Sequence, residues 1–122
     1  MWHRLLRRTL VLKNIFEHKH ADMYELSKHT DDIKRLCAQH KVKRLYAFGS
    51  VLTRRFNETS DIDLIVDFEP LDLEQYADNY YDLKFSLEDI FKKPVDLLEE
   101  KAIKNPYFLE VVNKQRKLIY GY

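Results

Sequence analysis

The chain has one cysteine, two glycines and three prolines among its 122 residues. The single thiol, Cys37, leaves no internal disulfide to form and fits a reducing compartment, so a cytoplasmic setting is expected. With so little Gly and Pro the sequence is neither fibrous nor linker-rich, and no internal repeat or low-complexity tract is visible. No apolar run approaches the ~20 residues of a membrane span. Near the start, Leu10-Val11-Leu12 is too short for a secretory leader and no small-residue cleavage site follows it. No membrane partner is therefore expected. Charge of one sign is also missing, since the formal net charge is only +1. That gives no general electrostatic pull toward nucleic acid and makes a template-binding polymerase the least favoured reading.

What is present is 45% apolar and 34% charged, enough for one modest core and too little chain for two. The charges are unevenly spread. Arg4, Arg7, Arg8, Lys13 and Lys19 face Glu17 alone in the first stretch, whereas residues 61–100 are dominated by Asp and Glu. We divide the chain into a basic N-terminal extension or helix over residues 1–21 and one folded domain over 22–122. His18 and His20 lack further ligands nearby and weigh little as a metal site. The acidic half could attract a divalent cation, although most of its carboxylates are most simply a solvated face.

The informative stretch runs from Ala47 to Phe68. Two apolar runs, Leu45 to Phe48 and Ile62 to Phe68, flank a polar segment that opens with Gly49-Ser50 and closes with Asp61-Ile62-Asp63. The pattern predicts strand, Gly-Ser turn, short helix, strand. Alternation along the second strand puts Ile62, Leu64, Val66 and Phe68 on one face and Asp61, Asp63, Ile65 and Asp67 on the other, with Asp61 and Asp63 about 6.6 to 7 Å apart. Two carboxylates at that spacing can close on a pair of metal ions. A carboxylate inside so apolar a strand is costly unless it has a partner. Gly49 permits a sharp exit from the first strand, the following helix would aim free N–H groups at an anion, and Ser50 adds a hydroxyl. An anion cradle opposite a carboxylate pair suits a Mg2+-bound nucleoside triphosphate. Asp67 reads as a solvated strand-end residue.

The other elements support this one. A helix is predicted up to His40, with Thr30 as N-cap, Asp31 and Asp32 in the first turn, and Ile33, Leu36 and Cys37 inward. Cys37 is most simply a core residue. After Pro70, an amphipathic helix over 71–91 carries Leu73, Tyr76, Ala77, Tyr80, Leu83, Leu87 and Ile90 at three- and four-residue spacing, its aromatics more simply core than a base-stacking platform. A short strand over 95–98 carries Asp96, with Glu99 and Glu100 as surface charge. A last helix over about 106–114 precedes Leu118-Ile119-Tyr120, an edge strand or a tail. The sum is α+β, a small mixed sheet flanked by helices.

Gly49-Ser50, ten residues, then Asp61-Ile62-Asp63, with Ser60 before the pair and Leu64-Ile65-Val66 after it, resembles the active-site signature of the minimal nucleotidyltransferases, small members of the DNA polymerase β-like superfamily. The resemblance implies that fold, and a third carboxylate from a later strand, whose matching position is Asp96. It implies metal ligation and catalysis by Asp61, Asp63 and Asp96, with two Mg2+ ions, and nucleotide binding at Gly49 and Ser50. Where relatives carry Arg and Gly this chain has Thr53 and Arg54, so phosphate contact falls to Arg54 or Arg55. The family further implies an antitoxin role beside a HEPN-domain toxin, by transfer of AMP from ATP to a toxin tyrosine. Two other readings stand beside it: a non-catalytic module that neutralises its partner by contact, and a transferase acting on a small molecule such as an aminoglycoside, its pocket completed by a homo-oligomer.

Overall fold

The computed structural model describes residues 26–49 and 61–122. The N-terminal extension, Ser50, Arg54, Arg55 and the short helix expected after Gly49 lie outside the described residues. Six strand- or helix-forming stretches predicted above appear as elements, and a seventh, left as an edge strand or a tail, settles as a strand. In order they are α1 (Thr30–Gln39), β1 (Val42–Phe48), β2 (Ile62–Phe68), α2 (Leu73–Phe91), β3 (Val95–Glu99), a 3-10 turn (Glu100–Ala102), α3 (Pro106–Gln115) and β4 (Lys117–Tyr120).

The strands form one sheet in the order β3-β2-β1-β4. β1 pairs antiparallel with β2 and with β4, while β2 pairs parallel with β3. The sheet is mixed, as its parallel pair requires a helical crossover, here α2. Every residue of β2 is buried, the burial expected of a central strand covered on both faces.

Two separate apolar layers cover those faces. On one, Leu45, Ala47, Ile62, Leu64, Val66, Val95 and Leu97 pack against Ile33, Leu36 and Cys37 of α1 and Leu83, Leu87 and Phe91 of α2. Each fully buried Leu or Ile there contributes about 1.5–3 kcal/mol by removal from water. On the other, Tyr46, Phe48 and Ile65 pack against Phe108 and Val112 of α3. Their faces match the alternation read from β2.

Helix ends explain where the chain turns. α3 starts at Asn105, whose side-chain oxygen accepts from the N–H groups of Tyr107 at 2.8 Å and Phe108 at 3.1 Å, with Pro106 just inside, where a missing donor costs nothing. α1 departs from expectation. His29 holds the N-cap position without a side-chain cap bond, and Thr30 is already helical, its hydroxyl donating back to the Ser27 carbonyl at 2.7 Å. The His29 ring instead meets the Phe91 ring edge-on at 5.3 Å, so its packing outweighs the preference for Thr at the cap. In α2, Leu73 is 90% exposed and Ala77 also faces solvent. The inward stripe is therefore narrower than the periodicity suggested. Among the described residues, no helix is long and apolar enough to cross a membrane.

Candidate functional site

Register brings the candidate residues together. Phe48 of β1 lies opposite Asp63 of β2, and Asp63 lies beside Asp96 of β3. Register partners in a sheet point to the same side, and adjacent strands are about 4.7–4.9 Å apart. Val95 and Leu97 belong to the α1/α2 layer while Leu98 packs with Phe48 and Ile65, so Asp96 is on the α3 side with Asp63. Asp61 stands immediately before β2, and the Ile62 N–H donates to the Pro94 carbonyl at 3.0 Å, which extends the β2–β3 pairing to the edge of that position. Alternation gives Asp61 the side of Asp63. Gly49 follows Phe48 at the same end of the sheet, with φ of 81°, the left-handed region that a residue lacking Cβ enters without penalty. Four of the predicted site residues, Gly49, Asp61, Asp63 and Asp96, thus share one end and one face.

Their surroundings differ. Asp63 is 2% exposed, whereas Asp61 and Asp96 are half-buried. The donor set, three carboxylates, is the oxygen-rich type that Mg2+ selects, so these residues fit such an ion in chemistry. As they stand, no three His, Cys, Asp or Glu side chains among the described residues converge as a closed metal cluster.

Two expectations need correction. Asp67 is not solvated: it is 8% exposed, and its carboxylate faces the Arg44 guanidinium of β1 at 4.0 Å. The strand alternation gave its face but not the cation opposite. Glu99 and Glu100 are not free surface charge either. Glu99 accepts a hydrogen bond from the Tyr76 hydroxyl, and Glu100 lies 3.2 Å from Arg116. Sequence reading missed this second group on the α3 face, Arg44, Glu100 and Arg116, because its members come from three elements. Tyr46, then Asp67 and Glu100, hold the Arg44 guanidinium still further above its ordinary range. Arg116 stacks over the Tyr46 ring at 4.1 Å, fastening the end of α3 to β1. Its start is held by the Asn105 cap and by Phe108 against Phe48, rings edge-on at 5.9 Å.

A mixed sheet with paired acids at the head of two parallel strands, and a glycine bend beside them, defines a class, and comparison with known proteins agrees. The chain belongs to the polymerase beta nucleotidyltransferase family, whose model matches residues 31–122. It is thus a nucleotidyltransferase, an enzyme class whose donor substrate is a nucleoside triphosphate. Among individual relatives, a Methanocaldococcus jannaschii protein named "putative protein adenylyltransferase" is 34% identical over 96 residues, 78% of this chain and 89% of that one. A solved "putative minimal nucleotidyltransferase" is 30% identical, with a TM-score of 0.64 over 75% of this chain and 90% of the other. The fold is shared as well with a chain from the complex of a tri-AMPylated Shewanella oneidensis HEPN toxin with its MNT antitoxin, at 24% identity and a TM-score of 0.54 over 79% and 72% of the two chains.

Proposed function

We propose that this chain transfers AMP from ATP, with Mg2+, to a tyrosine hydroxyl of a HEPN-domain partner, and acts as the antitoxin of that pair. The observation that supports it most is the register partnership of Asp63 with Asp96, which sets two distant carboxylates side by side on the face that also holds Gly49. The names of its relatives add protein adenylylation and a HEPN partner.

In this reading Asp61, Asp63 and Asp96 hold the metal. Bound Mg2+ would neutralise phosphate charge and lower the pKa of the attacking hydroxyl. Gly49 and Ser50 seat the triphosphate, Arg54 or Arg55 contacts its phosphates, and residues 22–122 act as the transferase domain. The tyrosine oxygen attacks the α-phosphorus in line, the bond to the bridging oxygen of the β-phosphate breaks, and pyrophosphate leaves. Asp96 takes the hydroxyl proton and passes it to water. Asp63 orients the donor through the metal it helps to hold.

Purified chain, the co-encoded HEPN protein, ATP and Mg2+ should yield AMP-sized additions by intact mass, localised to tyrosine by fragmentation. Asp63→Asn should slow the transfer by at least about 100-fold, the order lost when an electrostatic contact to the reacting phosphate is removed. Full labelling by that variant, or an unmodified partner with the native chain, refutes the proposal. Neutralisation of the partner by an inactive Asp63→Asn chain would favour contact alone.

A further inference from the structure

Among the described residues β3 is an edge strand, yet it carries Asp96, and an edge strand has one row of backbone groups with no strand to pair with. In a parallel ladder alternate residues direct their N–H and C=O toward the neighbour and away from it. The bond from the Ile62 N–H to the Pro94 carbonyl assigns Pro94, Asp96 and Leu98 to the β2 side. Val95 and Leu97, the residues on either side of Asp96, therefore turn their backbone groups to the open edge.

Side chains of α2 meet them there. The Val95 N–H donates to a Glu88 carboxylate oxygen at 2.9 Å. The Leu97 carbonyl accepts from the Tyr80 hydroxyl. One step further, the Tyr76 hydroxyl donates to the Glu99 carboxylate. Lys84 lies 3.3 Å from Glu88 and holds it. Positions 76, 80, 84 and 88 are one helical stripe at four-residue spacing, and it runs opposite to the strand: 76 meets 99, 80 meets 97, and 88 meets 95.

We propose that Tyr80 and Glu88 are positioning residues for the metal site: they clamp the outer edge of β3 on both sides of Asp96 and so keep its carboxylate in register with Asp63. This rests on the assignment of Asp96 to the metal made above. An edge strand left to β2 alone can fray or slip by a residue, and a one-residue slip turns Asp96 into the opposite, apolar layer. The clamp thus sets how much of the time the third carboxylate is available to an ion.

The test uses the full chain with Tyr80→Phe, Glu88→Gln and, as a control, Tyr81→Phe, whose ring is half exposed and carries no such bond to β3. Two quantities are measured: backbone amide exchange over residues 94–99, and the midpoint for Mn2+ binding in the presence of a non-hydrolysable ATP analogue. Losing one net hydrogen bond corresponds to roughly a fivefold change in an equilibrium. Tyr80→Phe and Glu88→Gln should speed exchange in that segment and raise the Mn2+ midpoint by about three- to tenfold, with AMP transfer recovered at saturating metal. Tyr81→Phe should change neither. Unchanged exchange, or faster exchange with an unmoved Mn2+ midpoint, overturns the inference. Asp96→Asn separates the two claims: if it binds Mn2+ as well as the native chain, the metal assignment itself fails, whereas weak binding by Asp96→Asn beside a normal Tyr80→Phe removes only the clamp.

Discussion

At the scale of single residues, Cys37 shows how burial decides chemistry. It lies in the α1 layer with no exposed surface, and burial pushes its thiol up from an ordinary 9.0 to about 12. Only the thiolate reacts rapidly with disulfides and alkylating agents. The folded chain should therefore consume no thiol reagent at neutral pH, and one equivalent once urea unfolds it. The pKa shift also fixes a pH dependence. Below pH 9.0 the thiol is protonated folded or unfolded, so stability does not depend on it. Between 9.0 and about 12 only the unfolded chain releases the proton, and stability falls as pH rises. Urea midpoints across that window should drop more steeply for the native chain than for Cys37→Ala; equal slopes would show that another group carries the alkaline transition. Cys37 was legible in the sequence because a small apolar residue at helical spacing with Ile33 and Leu36 has one simple reading. Asp67 was not, because its partner Arg44 comes from another strand and no local pattern names it.

At the scale of elements, what could be read depended on period and length. β2 and α2 were legible as elements, since a seven-residue apolar run bounded by acids and nineteen residues with helical spacing each leave one main solution. β4 was legible only as an edge strand or a tail, being four residues long, and that it is an edge strand paired with β1 rests on the assembled sheet. The N-cap of α1 was misplaced by one residue for a related reason: the His29 contact with Phe91 is tertiary. Helix ends offer a direct experiment. α2 finishes at Lys92, which takes the left-handed conformation with φ of 57° while its N–H donates to the Glu88 carbonyl. That conformation costs a residue with a Cβ roughly 1–2 kcal/mol, part of which glycine returns through its greater freedom when unfolded. Among the described residues Lys92 pairs with Asp89, at 3.5 Å and with both side chains exposed, a pair that contributes little. Lys92→Gly should accordingly stabilise the chain by about 0.5–1 kcal/mol, read as a higher urea midpoint at unchanged slope. A lower midpoint would mean that the Lys92 side chain holds the α2–β3 turn more than its backbone strains it.

At the scale of the whole molecule, the sheet separates stability from chemistry. The α1/α2 side is a closed apolar layer, while the α3 side gives up part of its apolar area to Asp61, Asp63, Asp67 and Asp96. Asp63 sits at the boundary, nearly inaccessible and beside Asp96 in register. Whatever bonds it makes in the fold, a carboxylate this buried and one strand from another acid carries a desolvation and like-charge cost that a bound cation relieves. Removing its charge while keeping its shape should then have opposite effects on fold and on ligand. Without metal, Asp63→Asn should melt a few degrees higher, corresponding to about 1 kcal/mol. With Mg2+ and ATP the native chain should gain stability in proportion to ligand occupancy, and chelation should return it to its starting point, whereas Asp63→Asn should show no such gain. A variant that melts lower than the native chain in the absence of metal would make Asp63 a structural residue whose bonds the fold needs. A variant that still gains stability from Mg2+ and ATP would place the metal elsewhere than on β2.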